Sequence, residues 1–297
     1  MTENVQITDL GTKKKPISRK KIMETTGLVI LQIVMTLWVI SFLVPTIWMV
    51  SSSLKASTEV FAHPIVWVPE QPEWRNFAKV FDYLPFGKFA VNTLIVTGLA
   101  VIGTVASSMV VAYSFARLNW PGKNIFFGIL IATMMLPDVV TLVPRFLMFR
   151  SFGWIDTFLP LIIPFWTGIS ALYVFLAVQF LRGLPIELEE AALIDGANRL
   201  QIIVRIILPL SKPVIATIAV FALLQHYNDF MAPLIYLNSM DNWTMALGLR
   251  GLNSSYAANW ELVFAASTMM LSPVFLLFVF AQRFFVQGIA MTGFGGR

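Results

Sequence analysis

An uncharged run from Thr25 to Leu54, with an apolar centre at Leu28–Val50, constrains this chain more than any other feature of its sequence. About 20 apolar residues are enough for a helix to cross a bilayer. The run is longer than the roughly 7–15-residue core of a signal peptide, and no small-residue cleavage site follows it cleanly. We therefore interpret it as a first membrane span and not as a cleaved signal.

The composition and the other apolar runs agree with a membrane protein. Of the 297 residues, 57% are hydrophobic and only 12% are charged, which excludes a soluble globular protein, a disordered chain and a fibre. The sequence predicts an all-α integral membrane protein with six transmembrane helices and no second domain. The five further spans are predicted at Phe89–Phe115, Ile125–Phe149, Phe158–Leu181, Pro213–Asn228 and Leu262–Phe280.

Basic residues predict the orientation of these spans. With the N-terminus in the cytoplasm, 14 of the 21 lysines and arginines fall in inside segments and 7 in outside segments. Six of the inside residues belong to a basic tail over residues 1–24. Because cytoplasmic loops carry the excess of positive charge, we expect both termini inside the cell.

The charged stretch between spans 4 and 5, about residues 182–212, is unusual for a loop. Glu187, Glu189 and Glu190 follow Pro185, and Gly196 offers a left-handed stop. The pattern predicts a short amphipathic helix, a glycine turn and a helix that returns to the membrane. One face of the first helix would carry Leu188, Ala191, Ala192 and Asp195. A helix that only lies on lipid prefers basic residues, so the glutamates favour a protein partner.

The same stretch resembles a known motif. It matches the EAA loop of binding-protein-dependent ABC importer permeases at seven positions. These are Glu190-Ala191-Ala192, Gly196 after three further residues, Ile206 after nine more, and Leu208-Pro209 after one more. The resemblance runs from about Leu28 to Gly295 and is strongest to the six-span subunit of the maltose and oligosaccharide type. Its other matching segments are Ser53-Leu54-Lys55, Pro85-Phe86-Gly87, Asn92-Thr93 and Gln282–Gly288.

This resemblance implies a function. The chain would be a transmembrane permease domain over residues 25–297 in the cell membrane of a prokaryote, moving a sugar or oligosaccharide into the cell. Its implied partners are a homologous second permease, two ABC ATPases, an extracytoplasmic solute-binding protein and membrane lipid, with no nucleic acid. The implied contacts to an ATPase are Glu190, Ala191, Ala192, Asp195 and Gly196, with Leu208 and Pro209 as the link to span 5. The C-terminal tail, about residues 286–297, would either enter the ATPase interface or fray.

No cofactor is expected on this chain. It has no glycine-rich phosphate loop ending in Gly-Lys-Ser/Thr, so ATP and magnesium would bind the separate ATPases and the chain is not itself an enzyme. It has no cysteine, and His63 and His226 are too few for a metal cluster. An intramembrane enzyme would need a fuller catalytic set. A secondary transporter would show paired broken helices in repeats, and we find no convincing repeat.

Polar residues at membrane depth are the candidates for the substrate path. Asp138 and Arg145 lie seven residues apart on one predicted helix face, and Tyr227, Asn228 and Asp229 end span 5. They either contact a sugar or serve packing: Arg145 would then reach the outer interface and Asp138 would pair with a partner helix. Arg145 also hints at an acidic or modified oligosaccharide.

Overall fold

A computed structural model describes residues 19–253 and 259–293, with side chains over 25–252 and 259–279. Every regular element in these ranges is a helix. The helices are α1 (Arg19–Ser53), α2 (Arg75–Tyr83), α3 (Phe86–Arg117), α4 (Lys123–Thr133), α5 (Asp138–Ser151), α6 (Leu159–Ile162), α7 (Ala171–Arg182), α8 (Glu187–Ile194), α9 (Arg199–Ile202), α10 (Leu208–Leu210), α11 (Lys212–Tyr227), α12 (Met231–Tyr236), α13 (Met245–Asn253) and α14 (Trp260–Gly293). Short 3-10 turns lie at Ile163–Trp166 and Met240–Asn242, and a π-helical turn lies at Ile203–Ile207.

The chain divides into two units, residues 1–50 and 51–297. The first unit consists, in its described part, of most of α1, whose stretch Leu28–Val50 is apolar on nearly all sides, as suits a helix in lipid. The second unit contains all the other helices.

Four helical segments of the described chain are long and apolar enough to cross a membrane. They are Thr25–Ser53, Phe86–Arg117, Leu159–Arg182 and Trp260–Val279, which overlap predicted spans 1, 2, 4 and 6. Two pairs of helices pass the same test only when they are joined across a bend. The structure therefore supports four to six spans.

Predicted span 3 differs most from its expectation. Ile125–Phe149 is not one straight helix: α4 and α5 meet at an angle of 102°. Pro137 stands directly before α5 in extended backbone, with ψ of 135°, because proline cannot continue the preceding helix. In the second pair, the segment Arg199–Leu210 meets α11 at 76°, next to Ser211 and Pro213.

Helix α3 is the centre of the second unit, where it packs against α7, α11, α13 and the turn Ile163–Trp166. Small fully buried side chains, such as Ala112 on α3 and Ala177 on α7, let these helices approach closely. At Gly103 an added Cβ would lie 2.4 Å from the Trp166 ring, so this crossing requires glycine.

Buried polar side chains of α3 hold the segment before α13. The Asn92 amide donates to the carbonyls of Asp241 and Trp243, each at 2.9 Å. The Thr93 hydroxyl accepts from the Met245 backbone N–H at 2.9 Å. Since unpaired polar groups are costly away from water, these bonds fix the path of the segment.

Candidate functional site

The 182–212 loop forms helix α8, a tight turn and helix α9. Glu190, Ala191 and Asp195 are exposed, and Ala192 packs partly against the main core. Exposed apolar side chains flank them: Ile194 is 86% exposed, and Leu193 and Ile186 are also exposed. The loop thus offers acidic, small and apolar groups on one accessible surface.

The turn after α8 has the hydrogen bonds of a Schellman motif. Gly196 has φ of +83°; its N–H donates to the Leu193 carbonyl at 3.1 Å, and the Ala197 N–H donates to the Ala192 carbonyl at 2.9 Å. An added Cβ at Gly196 would meet no atom within 4 Å, so only the backbone conformation favours glycine there.

Helix α9 begins with a reciprocal cap. The Asn198 side chain accepts from the Gln201 N–H at 2.9 Å, and the Gln201 side chain accepts from the Asn198 N–H at 2.8 Å. Because the end of α8 and the start of α9 are both capped by hydrogen bonds within the turn, the reversal between the two helices does not require a partner chain.

Glu189 differs from Glu187 and Glu190, the other glutamates of the first turn of α8, because it is buried within the chain. Its side chain is 4% exposed, and its Oε1 lies 2.7 Å from Nε of Arg117, which is 7% exposed. The Tyr113 hydroxyl donates to Oε2 at 3.0 Å. Sequence reasoning missed this cluster, although Tyr113 and Arg117 stand four residues apart at the end of α3, which puts them on one helix face.

The predicted link to span 5 is irregular. Leu208 packs partly against the main core and Pro209 is exposed. The π-helical turn Ile203–Ile207 precedes them and the 76° bend follows. Such turns are frequent at functional sites, because they change the helical register without ending the helix.

Asp138 and Arg145 pair with each other. Arg145 Nη2 lies 3.2 Å from Asp138 Oδ1 and donates to the Asp138 carbonyl at 3.1 Å. The Asp138 side chain is 97% exposed and that of Arg145 is 40% exposed. Within the described chain, Asp138 therefore contacts its own helix, and its pairing with a helix of another chain stays a prediction.

The residues at the end of α11 lie in different surroundings. The buried Tyr227 hydroxyl donates to the Met270 carbonyl of α14 at 2.8 Å. Asn228 is exposed and donates to the Leu224 carbonyl of its own helix. The half-buried Asp229 accepts from the Ala232 N–H at 3.2 Å. Tyr227 is thus occupied in packing, whereas the Asn228 side chain is accessible at the surface of this chain.

A small polar pocket lies beside these residues. Tyr227 and Asp229 line it together with Thr93, Thr97, His226 and Thr244. The buried hydroxyls of Thr97 and Thr244 have no hydrogen-bond partner among the described residues, so the pocket suits water. Among all the residues that the structure describes, no group of three or more histidine, aspartate or glutamate side chains is arranged to hold a metal ion.

Two predicted segments lie largely outside the described residues. The basic tail over 1–24 is described only as backbone from Arg19. In the C-terminal tail over 286–297, the backbone of α14 continues to Gly293. The predictions for both tails stay predictions.

Comparison with known proteins gives the family. Residues 108–291 match the family model described as "Binding-protein-dependent transport system inner membrane component". The chain is 30% identical to the probable ABC transporter permease protein YurM of Bacillus subtilis, over 95% of this chain and 92% of that protein. It is 31% identical to the arabinooligosaccharides transport system permease protein AraQ of Halalkalibacterium halodurans, over 85% and 91%. It is 29% identical to the sulfoquinovosyl glycerol transport system permease protein SmoH of Agrobacterium fabrum, over 86% and 89%.

A solved structure shares the fold. A chain in the crystal structure of a bacterial ABC transporter involved in the import of the acidic polysaccharide alginate superposes with a TM-score of 0.79 at 22% identity, covering 92% of this chain and all of that one. The multi-pass helical architecture, the family match over more than half of the residues and the long alignments with relatives agree. The chain therefore belongs to the family of binding-protein-dependent transport system inner membrane components, among the carbohydrate-type permeases of ABC importers.

Proposed function

We propose that this chain is one permease subunit of an ATP-driven importer that carries a sugar or oligosaccharide into a prokaryotic cell. It spans the cell membrane six times, counting each bent pair as one span, with both termini in the cytoplasm. The twofold excess of lysine and arginine in the inside segments supports this orientation.

The observation that carries the proposal is the capped α8–α9 turn, which presents Glu190 and Ala191 beside the 86%-exposed Ile194. Ile194 is one of three exposed apolar side chains on this short loop, with Ile186 and Leu193, and a cluster of this kind points to a covering partner. We infer that a cytosolic ATPase covers this surface, with Asp195 and Gly196 at its edge. The link through Leu208 and Pro209 then joins the surface to span 5.

The importer contains further chains. Two ATPases hold ATP and magnesium, since this chain has no phosphate loop. A homologous second permease covers polar groups that one subunit leaves open, such as Asp138 and Asn228. An extracytoplasmic binding protein delivers the substrate.

The names of the relatives support the substrate class. Two of those compared are named for arabinooligosaccharides and sulfoquinovosyl glycerol, and another, at 29% identity, is named for diacetylchitobiose. All of these carry several hydroxyl groups, which supports a sugar. Arg145, paired with the largely exposed Asp138, stays the candidate contact for an acidic or modified group on the sugar.

Substitution of Arg145 tests whether this residue of the predicted path contacts the substrate. If its guanidinium contacts sugar hydroxyls, Arg145→Ala should lower uptake several-fold while basal ATP hydrolysis of the assembled complex stays nearly unchanged. Asp138→Asn breaks the same pair but keeps the guanidinium, so it shows what loss of the pair alone does. Unchanged uptake in Arg145→Ala, or loss of assembly, would assign Arg145 a structural role only.

The whole proposal is tested by reconstitution. We would co-express the chain with a second permease and an ATPase of the same importer, purify the complex in mild detergent and measure sugar uptake into proteoliposomes. Uptake should require ATP and the binding protein. A stable monomer that transports alone, or uptake driven by an ion gradient without ATP, would refute the proposal.

A further inference from the structure

The acidic helix α8 is attached to the end of α3 by three buried polar contacts. The Glu189 carboxylate contacts Arg117 at 2.7 Å and accepts from the Tyr113 hydroxyl at 3.0 Å, one residue on each oxygen. Arg117 also donates through Nη2 to the Leu184 carbonyl at 2.7 Å, just before α8. Two residues of α3 thus hold both the first turn of α8 and the chain that leads into it.

The burial of these charges is not needed for packing. Glu187 and Glu190, on the same turn, are exposed, so an acidic first turn does not require an acid in the interior. Taking both charges of an ion pair out of water carries a large desolvation penalty, and apolar side chains of similar volume often pack as well or better. The rigid guanidinium of Arg117 contacts Glu189 through Nε and the Leu184 carbonyl through Nη2, and these two contacts together limit the rotation of α8. The cluster therefore fixes the rotation of α8 relative to α3.

The position of α3 gives this attachment a consequence. The link expected from the sequence, through Leu208 and Pro209, passes a π-helical turn and a 76° bend before it reaches α11. Helix α3 is instead continuous over its 32 residues and packs against α7, α11 and α13. A displacement of α8 that is transmitted to α3 reaches most of the helical bundle directly.

We propose that Tyr113, Arg117 and Glu189 are positioning residues that make α8 move as one body with α3, so that an ATPase bound to α8 moves α3. This inference rests on the proposed function. It adds a second route of transmission beside the span-5 link, through residues that touch neither ATP nor sugar.

The first test measures coupling in the full reconstituted complex. Glu189→Gln keeps the volume and an acceptor for Tyr113 but leaves the Arg117 charge unpaired. We expect the sugar transported per ATP hydrolysed to fall about tenfold, while the amount of ATPase retained on the permease stays unchanged. Glu187→Gln, the same chemical change on the same helix at an exposed position, should behave as wild type.

A double-mutant cycle separates a joint role from two unrelated ones. If Arg117 and Glu189 act only through each other, the double variant Arg117→Gln/Glu189→Gln should couple no worse than the worse single variant. Losses that multiply in the double variant would refute a joint role. Normal coupling in both single variants would refute the inference, whether or not stability changes.

A distance measurement tests the rigid attachment itself. The chain has no cysteine, so spin labels can be placed at Val110→Cys on α3 and Glu187→Cys on α8, both at exposed positions. The distance distribution should be narrow and unchanged by ATP with the cluster intact, and should broaden or shift with ATP after Glu189→Gln.

An ATP-dependent distance change with the cluster intact would show that α8 moves relative to α3 and would overturn the inference. That outcome is distinguishable from failure of the proposed function, because the intact complex would still show ATP-dependent uptake. Absence of any such uptake in the wild-type complex would instead refute the proposed function.

Discussion

Substitution of Gly196 isolates the backbone turn from every other feature of the predicted coupling loop. Its φ of +83° is left-handed, and a Cβ placed there has open space within 4 Å. The cost of a side chain is therefore conformational alone, about 1–2 kcal/mol for an L-residue. Since about 1.4 kcal/mol is a tenfold change in an equilibrium, Gly196→Val should shift the equilibrium away from the native turn by roughly five- to thirtyfold, with the β-branched side chain at the upper end.

The expected phenotype is specific. Gly196→Val should insert normally and pair with the second permease, but retain the ATPase weakly in a pull-down from membranes and abolish uptake. Gly196→Asn should lie close to wild type, because asparagine tolerates the left-handed region better than other residues. Gly153→Val is the matched control: Gly153 also has positive φ, +69°, and open space, but lies in another turn. It should cost similar strain without loss of the ATPase.

Wild-type uptake by Gly196→Val would refute the turn as a requirement for coupling. Retention of the ATPase with loss of uptake would show instead that the turn transmits motion and does not hold the partner. Equal loss of the ATPase in the Gly153 and Gly196 variants would mean that general destabilisation, and not the local geometry of α8, is responsible.

Two further substitutions test the packing and the loops. Gly103→Ala would place a Cβ 2.4 Å from the Trp166 ring, and such overpacking should lower the free energy of unfolding by about 1–3 kcal/mol in a detergent thermal melt, whereas Gly98→Ala, with nothing within 4 Å, should not. At Asp156, hydrogen bonds from the Ser239 hydroxyl and backbone N–H lower the pKa of the carboxyl to about 2. Its stabilising contribution should therefore be complete above about pH 4 and disappear as the pH falls towards 2, so the difference in melting temperature between wild type and Asp156→Asn should shrink over that range.

The sequence was sufficient to predict the four unbroken apolar spans and the glycine turn, because both depend on local properties. A charge-free run of about 20 residues has few alternatives to a membrane helix. A glycine directly after a helix commonly takes the left-handed conformation, and Gly196 does so. The coupling role of the residues around it stays a prediction, since no ATPase is present.

The bends and the surroundings of individual polar residues were beyond sequence reasoning. Pro137 marks a break, but the 102° angle between α4 and α5 is set by what each helix packs against. Seven residues of helix rise about 10 Å, so a direct Arg145–Asp138 pair was not expected. It forms because a long arginine reaches back to a residue at the start of its helix, whose backbone carbonyl accepts a second bond.

The pair Glu189-Glu190 shows why periodicity alone could not predict the burial of Glu189. Successive helix residues point about 100° apart, so one carboxylate enters the chain interior while the next stays in water. Periodicity predicts which residues share a helix face, but not which face is turned towards the interior. The interior surface that α8 packs against is polar here, because Arg117 and Tyr113 lie at the C-terminal end of α3. A polar residue on α8 was therefore no indication of exposure. The two neighbouring glutamates have different surroundings: Glu189 contacts its own chain, and Glu190 faces the proposed partner. A substitution of Glu189 alone should therefore affect the transmission of motion to α3, and a substitution of Glu190 alone should affect the docking of the ATPase.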